Sequence, residues 1–168
     1  MLWIDEIEKG FAGEGGRGDA GVSSRLLGTF LRWMQDRPEG VFIVATANDV
    51  AGLPPEFLRK GRFDEIFFVD LPTEPERQEI FRLHLSRRGH DPAGFDLAAL
   101  AEAADGFSGA EIEAAVVAAS YPAFAAGRSL AEADLLAEVR GAVPLSRSRA
   151  EDVEALRAWA RDRAVPVS

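Results

Sequence analysis

The 168-residue chain contains no cysteine, which excludes a disulfide framework, a thiolate metal site, a Cys nucleophile and thiol redox chemistry. That absence suits the cytoplasm, the compartment expected for it. No apolar run approaches the roughly 20 residues a membrane helix needs, and Asp5 and Glu6 fall within the first six residues, so neither a membrane span nor a targeting segment is expected. Positive charge is in deficit. The 19 Lys and Arg face 28 Asp and Glu, and the resulting formal charge of -9 argues against DNA or RNA as a bulk electrostatic partner. Histidine is confined to His84 and His90, with no carboxylate or second His at a ligand spacing, so a metal site of that kind is not expected. Nothing reads GxxxxGK[ST], the loop that cradles nucleotide phosphates. What remains, 47% hydrophobic and 28% charged residues, is ordinary for a soluble globular domain.

Strands alternate with helices in the first part of the chain, which implies a parallel α/β sheet. Met1 to Ile4 is a short apolar run ending in Asp5-Glu6, and Gly10 to Ser24 reads as a flexible loop. Leu26, Leu27, Phe30, Leu31 and Met34 recur at helical spacing with Trp33 beside the stripe, and the helix should end near Arg37-Pro38. Val41 to Thr46 is β-rich and apolar on both faces, as is Ile66 to Val69, so both are expected as buried parallel strands. From Thr73 the pattern is helical. Thr73/Glu76, Ser108/Glu111, Ser129/Glu132 and Ser148/Glu151 each fit a capping box, and the apolar positions between them supply faces for a small bundle. Ser146 to Arg149 is expected to link this bundle to a last helix containing Val153, Leu156 and Trp159. Trp33, Trp159 and Tyr121 read as packing residues. No internal repeat at a fixed period is present.

Three features carry chemistry. An acid pair at the end of an apolar strand, here Asp5-Glu6, points out of the carboxyl edge of a sheet, where open α/β folds bind ligands. One carboxylate there can hold Mg²⁺ and the next can polarise a water, although adjacent acids are also common on solvated surfaces. Asn48 ends the second strand and places an amide at the same edge, able to hold a water or a phosphate oxygen, while Asn-Asp equally suits a turn. Arg59 and Arg62, three apart around Gly61, suit phosphate or surface carboxylates alike.

Taken together and in order, these motifs resemble the AAA family of AAA+ ATPases. Leu2-Trp3-Ile4-Asp5-Glu6 resembles its Walker B strand and Val44-Ala45-Thr46-Ala47-Asn48 its sensor-1 strand. Leu58 to Asp64 resembles its paired arginine-finger segment, and Gly106 to Ile112 the start of its lid helix. Within the family, Arg59 to Val69 and the tail Leu156 to Ala160 are most similar to the AAA proteins encoded in plastid and cyanobacterial genomes and their bacterial relatives. The resemblance covers nearly the whole chain. It implies an α/β fold, the C-terminal part of a P-loop NTPase parallel sheet followed by an all-α helical lid. Residues 1–72 would belong to the nucleotide-binding core, 73–145 to the lid and 146–168 to a linker and helix.

The resemblance further implies ATP and Mg²⁺ as cofactors. Asp5 would position Mg²⁺ through water, Glu6 would activate the attacking water and Asn48 would act as sensor 1. Arg59 and Arg62 would reach a neighbouring subunit's nucleotide in a homo-oligomeric, hexameric ring, and Gly109 and Ala110 would line the nucleotide from the lid. Lys60 stands where many relatives carry Pro, and Ala110 where other AAA+ branches carry an Arg sensor. In the family's strand order, 5-1-4-3-2, this chain would hold strands three, four and five. The first two strands and the phosphate loop precede the Walker B strand in the family and are not among these residues, so the chain reads as a fragment inactive alone. The function expected is ATP binding and hydrolysis coupled to remodelling of an unknown protein. The alternatives are a non-catalytic remnant that docks on intact subunits and, from the Arg59-Lys60-Arg62 cluster alone, a nucleic-acid remodeller.

Overall fold

A computed structural model describes residues 1–11, 20–36, 40–59 and 61–167. Most of the expected Gly10–Ser24 loop, the expected helix end at Arg37-Pro38, and Lys60 lie outside them. The chain divides into two compact units, one of residues 1–68 and 159–165, the other of 69–158 and 166–168.

In the first unit, β1 (Leu2–Ile4) and β2 (Ile43–Ala45) pair in parallel, with Leu2 opposite Ile43 and Ile4 opposite Ala45. The parallel ladder runs past the strand ends, because Leu2 N–H donates to Phe42 O at 2.8 Å and Thr46 N–H to Ile4 O at 2.9 Å. Helices α1 (Ile7–Phe11) and α2 (Ala20–Asp36) cover this pair. The α2 helix begins inside the segment expected as loop. Four of its five periodic residues face the core, Leu31 and Met34 buried with Ile7 and Phe57 and Leu27 and Phe30 packed against them, while Leu26 is exposed. Phe57, on a 3₁₀ turn over Pro55–Leu58, is enclosed by the rings of Phe11, Phe30 and Phe63 at 5.1, 6.0 and 6.3 Å. Trp33 stacks on Phe30.

The expectation of strands buried on both faces fails. β2 is half-buried throughout, and β3 (Phe67–Val69) leaves Phe67 and Val69 exposed. The physical reason is cover: among the described residues β1 and β2 have only each other, and β3 lies in a separate two-stranded sheet with β4 (Val165–Val167). That arrangement agrees with the expected strand order, in which an absent strand separates four from five. β4 itself was not anticipated; Val165 N–H donates to Ile66 O at 2.8 Å.

The second unit is helical. α3 (Glu74–Arg87), α4 (Leu97–Ala103), α5 (Gly109–Ala125) and α6 (Glu132–Gly141) enclose a core of Phe81, Leu85, Leu100, Phe107, Ile112, Val116, Leu135 and Val139. Arg77 is buried and fully engaged. Its Nε and Nη1 donate to the carbonyls of Ala101 and Pro72 at 2.8 and 2.9 Å, and its Nη2 pairs with Asp105 at 3.2 Å. Two of the four capping boxes form, at Thr73/Glu76 and Ser108/Glu111. The others do not. α6 starts two residues later than Ser129 implies, with the Asp134 carboxylate accepting from Ala131 N–H at 3.0 Å, and Glu132 instead accepts from Asp96 N–H. Ser148 bonds back to the carbonyls of Pro144 and Leu145, because Leu145–Ser148 forms a short helix, α7, ahead of α8 (Ala150–Ala160). Tyr121 is exposed rather than packed.

Candidate active site

The parallel register of β1 and β2 determines which side chains meet at their carboxyl ends. Strand β1 stops at Ile4, and Glu6 takes a positive φ of 49°, the only non-glycine among the described residues to do so. For a residue with a Cβ this left-handed turn costs roughly 1–2 kcal/mol. Bonds from the next strand hold it. Glu6 N–H donates to Thr46 Oγ1 at 3.0 Å, and the same hydroxyl donates to Asp5 Oδ1 at 2.5 Å. Ile7 N–H, opening α1, donates to Thr46 O at 2.9 Å. One β-branched residue therefore ends its own strand and fixes both acids of the other.

Asn48 closes the cluster. Its Nδ2 donates to Glu6 Oε1 at 3.1 Å, and its backbone N–H donates to Glu8 Oε1, also at 3.1 Å. Lys9, one turn along α1, places Nζ 2.7 Å from both oxygens of Glu6. The hydrogen bond to Glu6 raises the Lys9 ammonium above its ordinary value; desolvation opposes this, and the charges of Glu6, Glu8 and Asp5 add to the rise. Three carboxylates within four positions thus meet one ammonium, one amide and one hydroxyl. Such a set can polarise a water and orient it, although among the described residues no group of three or more His, Cys, Asp or Glu side chains is placed to hold a metal ion by itself.

The structure brings Asp5, Glu6 and Asn48 together. Arg59 and Arg62 make no hydrogen bond to that cluster among the described residues. Arg59 is exposed just after the 3₁₀ turn, and Arg62, beyond Gly61 at φ 89°, donates through Nη1 to the Leu31 carbonyl of α2. Gly109 and Ala110 occupy the first turn of α5 in the second unit, directly after the Ser108 cap. There Glu111 accepts from Ser108 N–H and Oγ at 2.8 Å and from Leu145 N–H at 2.7 Å. Desolvation works against these bonds, but together they hold the Glu111 carboxyl below its ordinary value. Gly106, at φ 79°, permits the tight approach, since a Cβ there would stand 2.6 Å from Ser146 Oγ.

Sequence reasoning missed Lys9, Glu8 and the bridging role of Thr46. The i, i+3 spacing from Glu6 to Lys9 was a usable signal. Glu8 carried none, because an acid in the first turn of a helix is ordinarily a solvated complement to the helix dipole.

Residues 1–71 match the ATPase family associated with various cellular activities (AAA). The AAA domain-containing protein ycf46 of Pyropia yezoensis is 46% identical over 163 residues, 96% of this chain and 33% of that protein. The ycf46 protein of Guillardia theta is 42% identical over 161 residues, 95% of this chain and 32% of its own. This chain therefore spans about a third of the length of these curated relatives. Among solved structures, the FIGL-1 AAA domain superposes with a TM-score of 0.76 at 20% identity, over 97% of this chain and 57% of that one, which establishes a shared fold. No helix among the described residues is long and apolar enough to cross a membrane.

Proposed function

The chain belongs to the AAA family, and from that membership we propose that it carries the water-activating side of an ATPase site, whose phosphate-binding loop comes from outside these 168 residues. The observation that carries this reading is the Asn48 Nδ2 to Glu6 Oε1 bond, which joins two motifs 42 positions apart at one sheet edge. Asp5, exposed and next to the Thr46 hydroxyl, offers the hard oxygen donors that suit Mg²⁺ when waters and phosphates complete its shell. When bound, ATP would supply the phosphoryl group and Mg²⁺ would neutralise charge on its oxygens. Asp5 would orient the hydrated cation and Glu6 would polarise the attacking water, with Asn48 holding the Glu6 carboxylate toward it. Arg59 and Arg62 act on the nucleotide of a neighbouring subunit, whereas Gly109 and Ala110, in the lid, line the chain's own. In this reading 1–72 is the core, 73–145 the lid and 146–168 a linker and helix, working in a hexameric ring that remodels a protein.

A second reading, a non-catalytic module docking on intact subunits, is favoured by Arg62, whose guanidinium is already turned to the Leu31 carbonyl. The test uses a fusion that places a family phosphate-binding loop ahead of Met1. Glu6→Gln should keep Mg²⁺-dependent ATP binding while losing turnover by at least about 100-fold, within the range typical of a general base. Asp5→Asn should weaken Mg²⁺-dependent binding itself. Wild-type turnover in Glu6→Gln would reject these roles and leave the docking module.

A further inference from the structure

Glu8 is the buried acid of this region, 6% exposed, and α1 has placed it where no solvated carboxylate belongs. Its Oε1 accepts one bond, from Asn48 N–H 40 positions away at 3.1 Å, and its Oε2 is buried without a hydrogen-bond partner among the described residues. Burying a carboxylate with half its acceptor capacity unused is unfavourable, and an apolar side chain of similar volume would suit the neighbouring core of Ile7, Leu31, Met34 and Phe57 better. Fold stability therefore does not account for Glu8. Its one hydrogen bond does.

We propose that Glu8 is a positioning residue: its buried carboxylate anchors the Asn48 backbone at the exit of β2 so that the Asn48 side-chain amide stays directed at Glu6. Asn48 is held at two points by two acids of one short segment, main chain to Glu8 and side chain to Glu6. The positive φ at Glu6 makes this possible, because the turn between strand and helix brings residues two apart onto the same loop of β2. Asn48 itself is exposed, so its own packing cannot fix it. Without Glu8 the N–H loses its acceptor, the loop after Thr46 is free to rotate, and the amide no longer restrains Glu6 Oε1. The functional half of this inference rests on the hydrolytic reading of Glu6 and Asn48 above; the anchoring half does not.

The experiment follows that division. In the full 168-residue chain, amide hydrogen exchange by NMR should show Asn48 N–H protected in the wild type and exchanging at least about tenfold faster in Glu8→Ala, the loss expected for a hydrogen bond to a charged group. Glu8→Gln keeps an acceptor at nearly equal volume and should retain the protection. If Glu8→Ala does not fold, Glu8→Gln decides alone, and exchange there at the rate of an open loop overturns the proposal. Unchanged Asn48 exchange in a folded Glu8→Ala also overturns it. In the loop-bearing fusion, Glu8→Ala should lower kcat about tenfold with KM little changed, and Glu8→Gln should restore most of it. If Glu6→Gln abolishes turnover while Glu8→Ala leaves kcat intact, Glu8 is not a positioning residue. If instead Glu6→Gln has no effect, the hydrolytic reading fails, and the exchange data still decide whether Glu8 anchors Asn48.

Discussion

Thr46 shows how much one side chain settles at this sheet edge. Its hydroxyl accepts from Glu6 N–H and donates to Asp5, so the strained turn at Glu6 and the orientation of Asp5 share a single support. Lys9 adds charge compensation, which matters where Asp5, Glu6 and Glu8 would otherwise repel one another. In the helical unit the corresponding residue is Asp134. The bidentate bonds from Arg128, at 2.6 and 2.8 Å, and then the bond from Ala131 N–H lower its carboxyl from 3.8 to about 2. A carboxyl depressed by folding stabilises the fold above its unfolded value and loses that contribution as pH falls through its folded value. The stability Asp134 provides is therefore complete above about pH 4 and lost on the way to about pH 2. Thermal unfolding followed across that window should fall more steeply for the wild type than for Asp134→Asn. Parallel curves would show that the pair contributes nothing.

Among the elements, the helix starts separate pattern from structure. Ser108 and Glu111 cap α5 reciprocally, and Glu111 also accepts from Leu145 N–H, so this start is tied to the approach to α7. Ser129 has the same sequence signature but precedes a helix that begins at Glu132. Ser108→Ala should cost about 1 kcal/mol of unfolding free energy, typical of a lost N-cap, and Ser129→Ala less than about 0.5, typical of a surface change. Urea unfolding of the two variants checks this, and equal losses would contradict the cap assignment. The strands tell a parallel story. Ile43 and Val44 were legible as strand because β-branched apolar runs suit a pleated surface. Their half-exposure was not, since cover depends on neighbouring strands and not on the run itself. β4 escaped notice because Val165-Pro166-Val167 is too short to show a period and carries a proline.

At the scale of the whole molecule, the family and fold class were legible because four motifs occur in order, and the strand motifs end where a parallel ladder brings them level. Leu2 opposite Ile43 and Ile4 opposite Ala45 carry Asp5-Glu6 and Asn48 to one edge. The buried acid Glu8 was not legible, because its burial and its bond to Asn48 N–H, 40 positions away, depend on the fold and not on its neighbours in sequence. The proposed site is shared in two senses: it needs a phosphate loop from outside these residues and an arginine from another subunit. A finger supplied in trans is worth on the order of 10³ to 10⁵ in rate, because it neutralises charge developing on the transferred phosphoryl group. Arg62→Ala and Glu6→Gln subunits should then each be inactive alone. The most direct test is the ATP turnover of assemblies that mix these two variants in the loop-bearing fusion. Partial recovery of activity is predicted, since some interfaces join an intact Glu6 to a neighbour's intact Arg62. No recovery in assemblies shown to be mixed, or full activity of Arg62→Ala as a monomer, would contradict the shared site.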